Sequence, residues 1–313
     1  MKIHFENVDV SSTSGPNSFA GRLLAELTSK GHEIVDTYKQ SDVTCVFIQA
    51  NSQIPQNHPT VLRLDGIWFK PEQFDSHNVQ IKKSYLESHS IVWQSEFDKK
   101  MTEKYWGSRP GSIIGNGINI KKVEIQDSQI KRLRESYEHI FVCSANWHPQ
   151  KRLKENIEAF LRIRQQLIGS SALVIMGKSP DVHVQNPDIY FTGSISHKNC
   201  LEMFAASDWM LHLAWLDHCP NTVVEALSQD CPVICTNSGG THEIVKSNGI
   251  VIPENNDYNF ELTDYDKPYS IDLNVLEGIN WSTKPVVDNS YLDISKVTSK
   301  YLKEFKSAIE RRL

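Results

Sequence analysis

The chain has 313 residues, a net charge of −5 and a hydrophobic content of 39%. That length exceeds what one hydrophobic core organises, so two domains are expected. No apolar run approaches the roughly 20 residues of a membrane-spanning helix, and the first 138 residues are electrically neutral, with the whole deficit in the remainder, which excludes a general nucleic-acid binder.

Residues 1–9 mix charges into a short apolar stretch and read as a first strand, not a secretory signal. A cytoplasmic protein with reduced cysteines is therefore expected. Cys45 and Cys143 fall inside strand-like runs, as small core residues do. Cys231 and Cys235 flank Pro-Val-Ile with no second pair nearby, which argues against zinc.

Strand-like and helix-like segments alternate along the whole chain. Residues 2–5 form a strand, 18–30 a helix stopped by Gly31, and 33–35, 43–48 and 60–64 further strands. A helix over 78–87, a strand over 90–93 and a helix capped by Ser95 follow. After the charged stretch 121–138 the pattern restarts with a strand at 139–143, an amphipathic helix at 153–167 and a strand at 171–176 ending at Gly177. Later come a strand at 189–191, a helix from Ser196, a strand at 209–213, a helix from Pro220 and a strand at 232–235. Short, nearly continuous apolar strands separated by helices indicate parallel sheets covered on both faces. Two α/β domains are expected, 1–137 and 138–292. The last helix, about 293–313, carries a stripe of Val297, Tyr301, Leu302, Phe305, Ile309 and Leu313 that would pack back on the body.

Open α/β sheets bind ligands beyond the carboxyl ends of their strands. In the second half, loops at such ends are Ala145-Asn146-Trp147-His148-Pro149-Gln150-Lys151-Arg152, Ala214-Trp215-Leu216-Asp217-His218-Cys219, and Thr236-Asn237-Ser238-Gly239-Gly240-Thr241. Proline suits a first helical turn, so the amides of Asn221, Thr222 and Val223 would face outward at the positive end of a helix dipole. Glu225, one turn in, could accept from ribose hydroxyls, and Asp217 from hydroxyls beyond a diphosphate. Equally, Asp217 could cap the helix and Glu225 lie on the surface. Lys151 and Arg152 add cations near the same crevice, where they would stabilise a diphosphate leaving group.

Asp217-x7-Glu225, followed by Ala226-Leu227-Ser228-Gln229-Asp230-Cys231-Pro232-Val233-Ile234, resembles the E-x7-E signature of retaining GT-B glycosyltransferases of the family-four type (glycosyl transferases group 1). Asn237-Ser238-Gly239-Gly240-Thr241-His242-Glu243-Ile244-Val245, Ile114-Gly115-Asn116-Gly117-Ile118-Asn119 and Ser14-Gly15-Pro16-Asn17-Ser18-Phe19 resemble further segments of that family, in the same order. The resemblance implies a GT-B fold, with two Rossmann-like domains facing each other across a donor/acceptor cleft. It also implies transfer, with retention, from a nucleotide-diphosphate-sugar to a hydroxyl acceptor: a glycan, a lipid-linked molecule or a small molecule. Under it, Glu225 binds ribose, Asn221, Thr222 and Val223 the diphosphate, Asp217 the sugar, and Lys151 bridges to phosphate.

Three positions depart from the family pattern. Asp217 is one methylene short of the usual acid. Asn146 stands where an arginine is usual, so Arg152 is expected to compensate by gripping phosphate. Asp65, in Leu64-Asp65-Gly66-Ile67-Trp68, takes the place of a histidine and could accept a proton or hold an acceptor hydroxyl; it could also be a structural acid. Gly15 completes the donor-binding set. Neither a cofactor nor a metal is expected, because Asp264-Tyr265-Asp266, though it spells D-x-D, falls in a polar stretch beyond the last strand.

A nicotinamide oxidoreductase would need a G-x-G-x-x-G after a strand, and the chain lacks one. A catalytically degenerate sugar-nucleotide binder, a sugar-nucleotide epimerase and a glycan phosphorylase are the alternatives that share the fold. The helix-like segment 97–106 mixes basic, acidic and aromatic residues; a solvated face is expected there, with membrane contact at most peripheral, at the cytoplasmic face.

Overall fold

The computed structural model describes all residues except 13, 179–181, 183, 255–257, 282 and 312–313. In chain order the strands and α-helices are β1 (Lys2–Glu6), α1 (Gly15–Ser29), β2 (Glu33–Val35), β3 (Val43–Phe47), β4 (Thr60–Leu64), α2 (Pro71–His77), α3 (Val79–Glu87), β5 (Ser90–Trp93), α4 (Glu96–Trp106) and β6 (Gly111–Ile113), then α5 (Ser128–Ser136), β7 (His139–Ser144), α6 (Leu153–Arg164), β8 (Ser171–Met176), β9 (Ile189–Gly193), α7 (His197–Ala206), β10 (Trp209–His212), α8 (Asn221–Ser228), β11 (Val233–Thr236), α9 (Thr241–Val245), β12 (Gly249–Ile252) and α10 (Ile294–Arg311). They form two compact units.

The first unit comprises Met1–Asn119, Asn259–Asp264 and Ser290–Leu313. Its sheet is parallel, in the order β2-β1-β3-β4-β5-β6. Every residue of β3 and β4 is buried, Thr44, Thr60 and Arg63 included, and these strands read as mostly apolar runs. The core joins Phe19, Leu23 and Leu27 of α1 to Val43, Cys45 and Val61 of the sheet, and Val297, Tyr301, Phe305 and Ala308 of α10 close it. Buried side chains of that size contribute about 1.5–3 kcal/mol each. The apolar stripe of the last helix thus docks on its own chain; Leu313 lies outside the described residues.

Ser95 caps α4 as expected, its side chain accepting from the Asp98 amide at 3.1 Å. The basic and aromatic residues of α4 do not form a bare solvated face. Phe97, Met101 and Trp106 are buried, Lys104 pairs with Glu261, and the Tyr105 hydroxyl donates to the Phe260 carbonyl at 3.0 Å. Thus residues 259–264 cover this helix, and Asp264 of the D-x-D triplet is bound to Lys70 at 3.2 Å.

The second unit comprises Ile120–Tyr258 and Tyr265–Asn289. The first therefore ends at Asn119 and not near 137, because the charged stretch is tied into the second. Lys122 Nζ donates to the Ser228 carbonyl at 2.7 Å, and the amides of Gln126 and Asp127 both donate to Glu202 at 2.8 Å. Its sheet is parallel, in the order β12-β11-β10-β7-β8-β9. Numbered from its own first strand, that is the doubly wound order 3-2-1-4-5-6, with β7 and β10 adjacent at the point where the order reverses. Phe141, Phe160, Leu173, Ile175, Leu211 and Ile234 form its core. Ser196 caps α7, accepting from the Asn199 amide at 3.1 Å. All six cysteines are free thiols; Cys45, Cys143, Cys219, Cys231 and Cys235 are buried, and Cys200 partly so.

Candidate active site

The loops after β7 and β10 leave the sheet side by side, and they are bonded to each other by the Trp215 amide, which donates to the Gln150 carbonyl at 2.8 Å. The β7 loop is pinned by Trp147, whose Nε1 donates to the Met176 carbonyl at 3.0 Å. It then makes a short 3-10 turn over Pro149–Lys151 and reverses at Arg152, which is left-handed at φ 52°. The β10 loop carries a second left-handed residue, Leu216, at φ 54°. Such conformations are costly for non-glycine residues and persist only where the surroundings hold them; here they aim Lys151 and Asp217 at each other.

The Lys151 ammonium and the His212 imidazole both contact Asp217 Oδ2, the latter at 3.1 Å from Nε2. The Asp217 side chain is 12% exposed and that of Lys151 18%. Burial by itself raises the Asp217 pKa, but the Lys151 charge and the His212 hydrogen bond outweigh it and hold the carboxyl well below the usual range. Burial also lowers the His212 pKa, against the pull of Asp217. A neutral His212 thus donates its Nε2–H to the carboxylate.

The third loop supports the second through backbone. The Gly240 amide donates to the Asp217 carbonyl at 2.7 Å. Gly239 has φ +68°, and a Cβ added there would lie 2.5 Å from the Asp217 carbonyl oxygen and 2.7 Å from its nitrogen. Gly239→Ala is therefore expected to displace Asp217 and destabilise the unit by about 1–3 kcal/mol. A thermal midpoint equal to wild type would contradict this packing.

Pro220 is the N-cap of α8, one position earlier than the first-turn place expected of it. Its carbonyl accepts from the Val223 amide at 3.1 Å. Val223 is thereby removed from the anion-facing set, which leaves the amides of Asn221 and Thr222 at the helix start. Glu225, buried one turn further in, lies 3.2 Å from His197 Nε2.

Arg152 has a different place from the one expected. Its side chain is buried, with two parallel bonds to Glu254 at 2.7 and 3.0 Å and further bonds to the carbonyls of Tyr269 (2.7 Å) and Leu213 (3.3 Å). Ser238 donates to the same carboxylate at 2.7 Å. With its terminal nitrogens so occupied, Arg152 ties the β7 loop to the polar stretch after β12 in place of gripping phosphate. Asn146 is exposed on the β7 loop. Asp65 and Gly15 belong to the first unit, Gly15 as the first residue of α1. Asp65 pairs with the buried Arg63, which also bonds Asn116 at 2.8 Å and lies over the Phe19 and Phe47 rings. Sequence reasoning gave no role to His212, Glu254 or His197. Only His212 left a signal, as a polar residue inside an apolar strand five positions before Asp217.

The two parallel six-stranded sheets with their helices define a GT-B fold. HepE from Anabaena, solved in complex with UDP, superposes with a TM-score of 0.68 at 16% identity, covering 98% of this chain and 100% of the other. A glycosyltransferase from Rickettsia africae (0.64, 14%, 99% and 98%) and a sucrose-phosphate synthase from Thermosynechococcus elongatus (0.64, 12%, 98% and 94%) are similar in the same way. No curated protein matches. Residues 125–262 match the family model described as glycosyl transferases group 1. Among the described residues, no helix is long and apolar enough to cross a membrane.

Proposed function

We propose that this chain moves a sugar from a nucleotide-diphosphate-sugar to a hydroxyl acceptor with retention of anomeric configuration. The observation that carries this reading is the Lys151–Asp217 pair at the reversal point of the second sheet, four residues before the start of α8. An arriving diphosphate draws Lys151 from Asp217 and meets the Asn221 and Thr222 amides at the positive end of the helix. Glu225 accepts from the ribose, and Asp217, released from the ammonium, accepts from sugar hydroxyls. The bond from the anomeric carbon to the diphosphate oxygen breaks, and its electron pair leaves with the diphosphate, whose charge Lys151 stabilises. The acceptor oxygen then bonds the same face of that carbon, and its proton passes to the departing phosphate. This route needs no metal. The acceptor is a glycan, a lipid-linked molecule or a small molecule, and the reaction runs in the cytoplasm or at the cytoplasmic membrane face.

Calorimetry against UDP-, GDP- and ADP-sugars tests donor binding, and NMR of the products tests the anomeric outcome. One nucleotide class is expected to bind, and Glu225→Ala to weaken it by roughly tenfold or more, the worth of a hydrogen bond to a charged group. Unchanged affinity in that variant would overturn the ribose assignment, and an epimerised donor the transferase reading.

One observation favours a second reading, a donor-binding protein without turnover: Lys151 and Arg152 are each already paired with a carboxylate. Binding without transfer or hydrolysis across a broad acceptor panel would support it.

A further inference from the structure

Asp217 is held from one side only. Lys151 Nζ and His212 Nε2 both meet its Oδ2, while Oδ1 carries no side-chain hydrogen bond among the described contacts. The two partners differ in kind. Lys151 is a mobile cation on a flexible stem, 18% exposed, and an anionic ligand competes for it. His212 is 5% exposed, sits on β10 with its backbone in the sheet register opposite Cys235, and cannot follow a ligand.

We infer that His212 is a positioning residue for the transferred sugar: it keeps hold of Asp217 Oδ2 when the donor diphosphate takes Lys151 away, so that Oδ1 stays aimed at a sugar hydroxyl. This inference rests on the donor reading above. A buried carboxylate that lost its only cation beside an incoming diphosphate would turn toward water or away from the phosphate charge. A hydrogen bond from a neutral donor fixed in a strand resists that turn without competing for the diphosphate, because it brings no charge of its own. The exchange is one of partners alone; no bond is made or broken in it.

His212→Met removes the donor at similar volume, and His212→Gln returns an N–H near the place of Nε2. Both are compared with wild type for binding of UDP, GDP and ADP, for binding of the matching nucleotide sugars, and for turnover. His212→Met is expected to bind the bare nucleoside diphosphate within about twofold of wild type. It should lose roughly ten- to a hundredfold in sugar-dependent affinity or kcat, and His212→Gln should recover most of that loss. Equal losses for the diphosphate and the nucleotide sugar, or no recovery with glutamine, would overturn the positioning role. A second readout needs no nucleotide. In the ligand-free protein, nitrogen NMR of the ring should show an Nε2-protonated His212 whose signal shifts in Asp217→Asn; an Nδ1-protonated ring would contradict the hydrogen bond itself. Wild type that binds no nucleotide would sink the donor reading and, with it, the part His212 plays there, while the ring NMR still reports the hydrogen bond.

Discussion

Lys151→Ala is expected to lower sugar transfer by a factor of about 10² to 10³, the loss seen when one pre-placed group that stabilises developing charge is removed. Two effects add. Under the proposed function the diphosphate loses its stabilising ammonium in the transition state, and Asp217 becomes a buried carboxylate whose paired Lys151 is gone. The second effect also acts without substrate. Removing one member of a largely buried ion pair costs up to about 3 kcal/mol, most of it from stranding the remaining charge. Combining Lys151→Ala with Asp217→Asn separates the two: the double variant should regain much of the thermal stability and none of the activity. If Lys151→Ala alone retains wild-type turnover, the ammonium is not at the leaving group.

Arg152→Ala should produce the largest loss of stability, about 3–5 kcal/mol in the second unit. It strands the Glu254 carboxylate, 4% exposed, and opens the bonds to the Tyr269 and Leu213 carbonyls. Arg152→Lys should recover only part of this, because an ammonium cannot make the two parallel bonds of a guanidinium. The pair also sets a pH dependence. Burial raises the Glu254 pKa, but the Arg152 bonds outweigh it and leave it lowered. A depressed carboxyl pKa contributes stability above its unfolded value, about 4.3. That contribution is lost as the pH falls through the lower folded value, and Asp217 behaves likewise. Acid unfolding followed by the fluorescence of Trp215, which packs edge-on against Tyr269 at 5.2 Å, checks this. A wild-type acid midpoint in Arg152→Ala would count against it.

The strands buried at every residue, β3, β4, β5, β8, β10 and β11, were legible from their largely apolar runs, and the more exposed β1, β2 and β9 were read as well. The cap at Ser95 and the helix start at Ser196 were legible because a capping side chain acts on an amide three residues away. Helix α5 was not. Only Ile130 of it is buried, so it shows no apolar stripe, and its N-terminus is fastened through Glu202, about 75 residues further on. Range explains the candidate site as well. Lys151 and Asp217 could be put on neighbouring loops from the strand pattern alone. Arg152, next to Lys151, could not be told from it, since its partner Glu254 lies in a polar stretch 102 positions away. Asp65 was ambiguous for the opposite reason: its partner Arg63 sits two residues back, inside a strand where a charge is not expected.

Because α10 supplies Val297, Tyr301, Phe305 and Ala308 to the core built on α1, the two units do not mature in the order in which they are synthesised. The second unit has all its strands once β12 has emerged. The first has its whole sheet by residue 113 yet leaves Phe19 and Cys45 uncovered until nearly 200 further residues have been made. An open apolar face held that long on a nascent chain is a surface for chaperones and for aggregation, so premature stops within α10 fall hardest on the unit farthest from them in sequence.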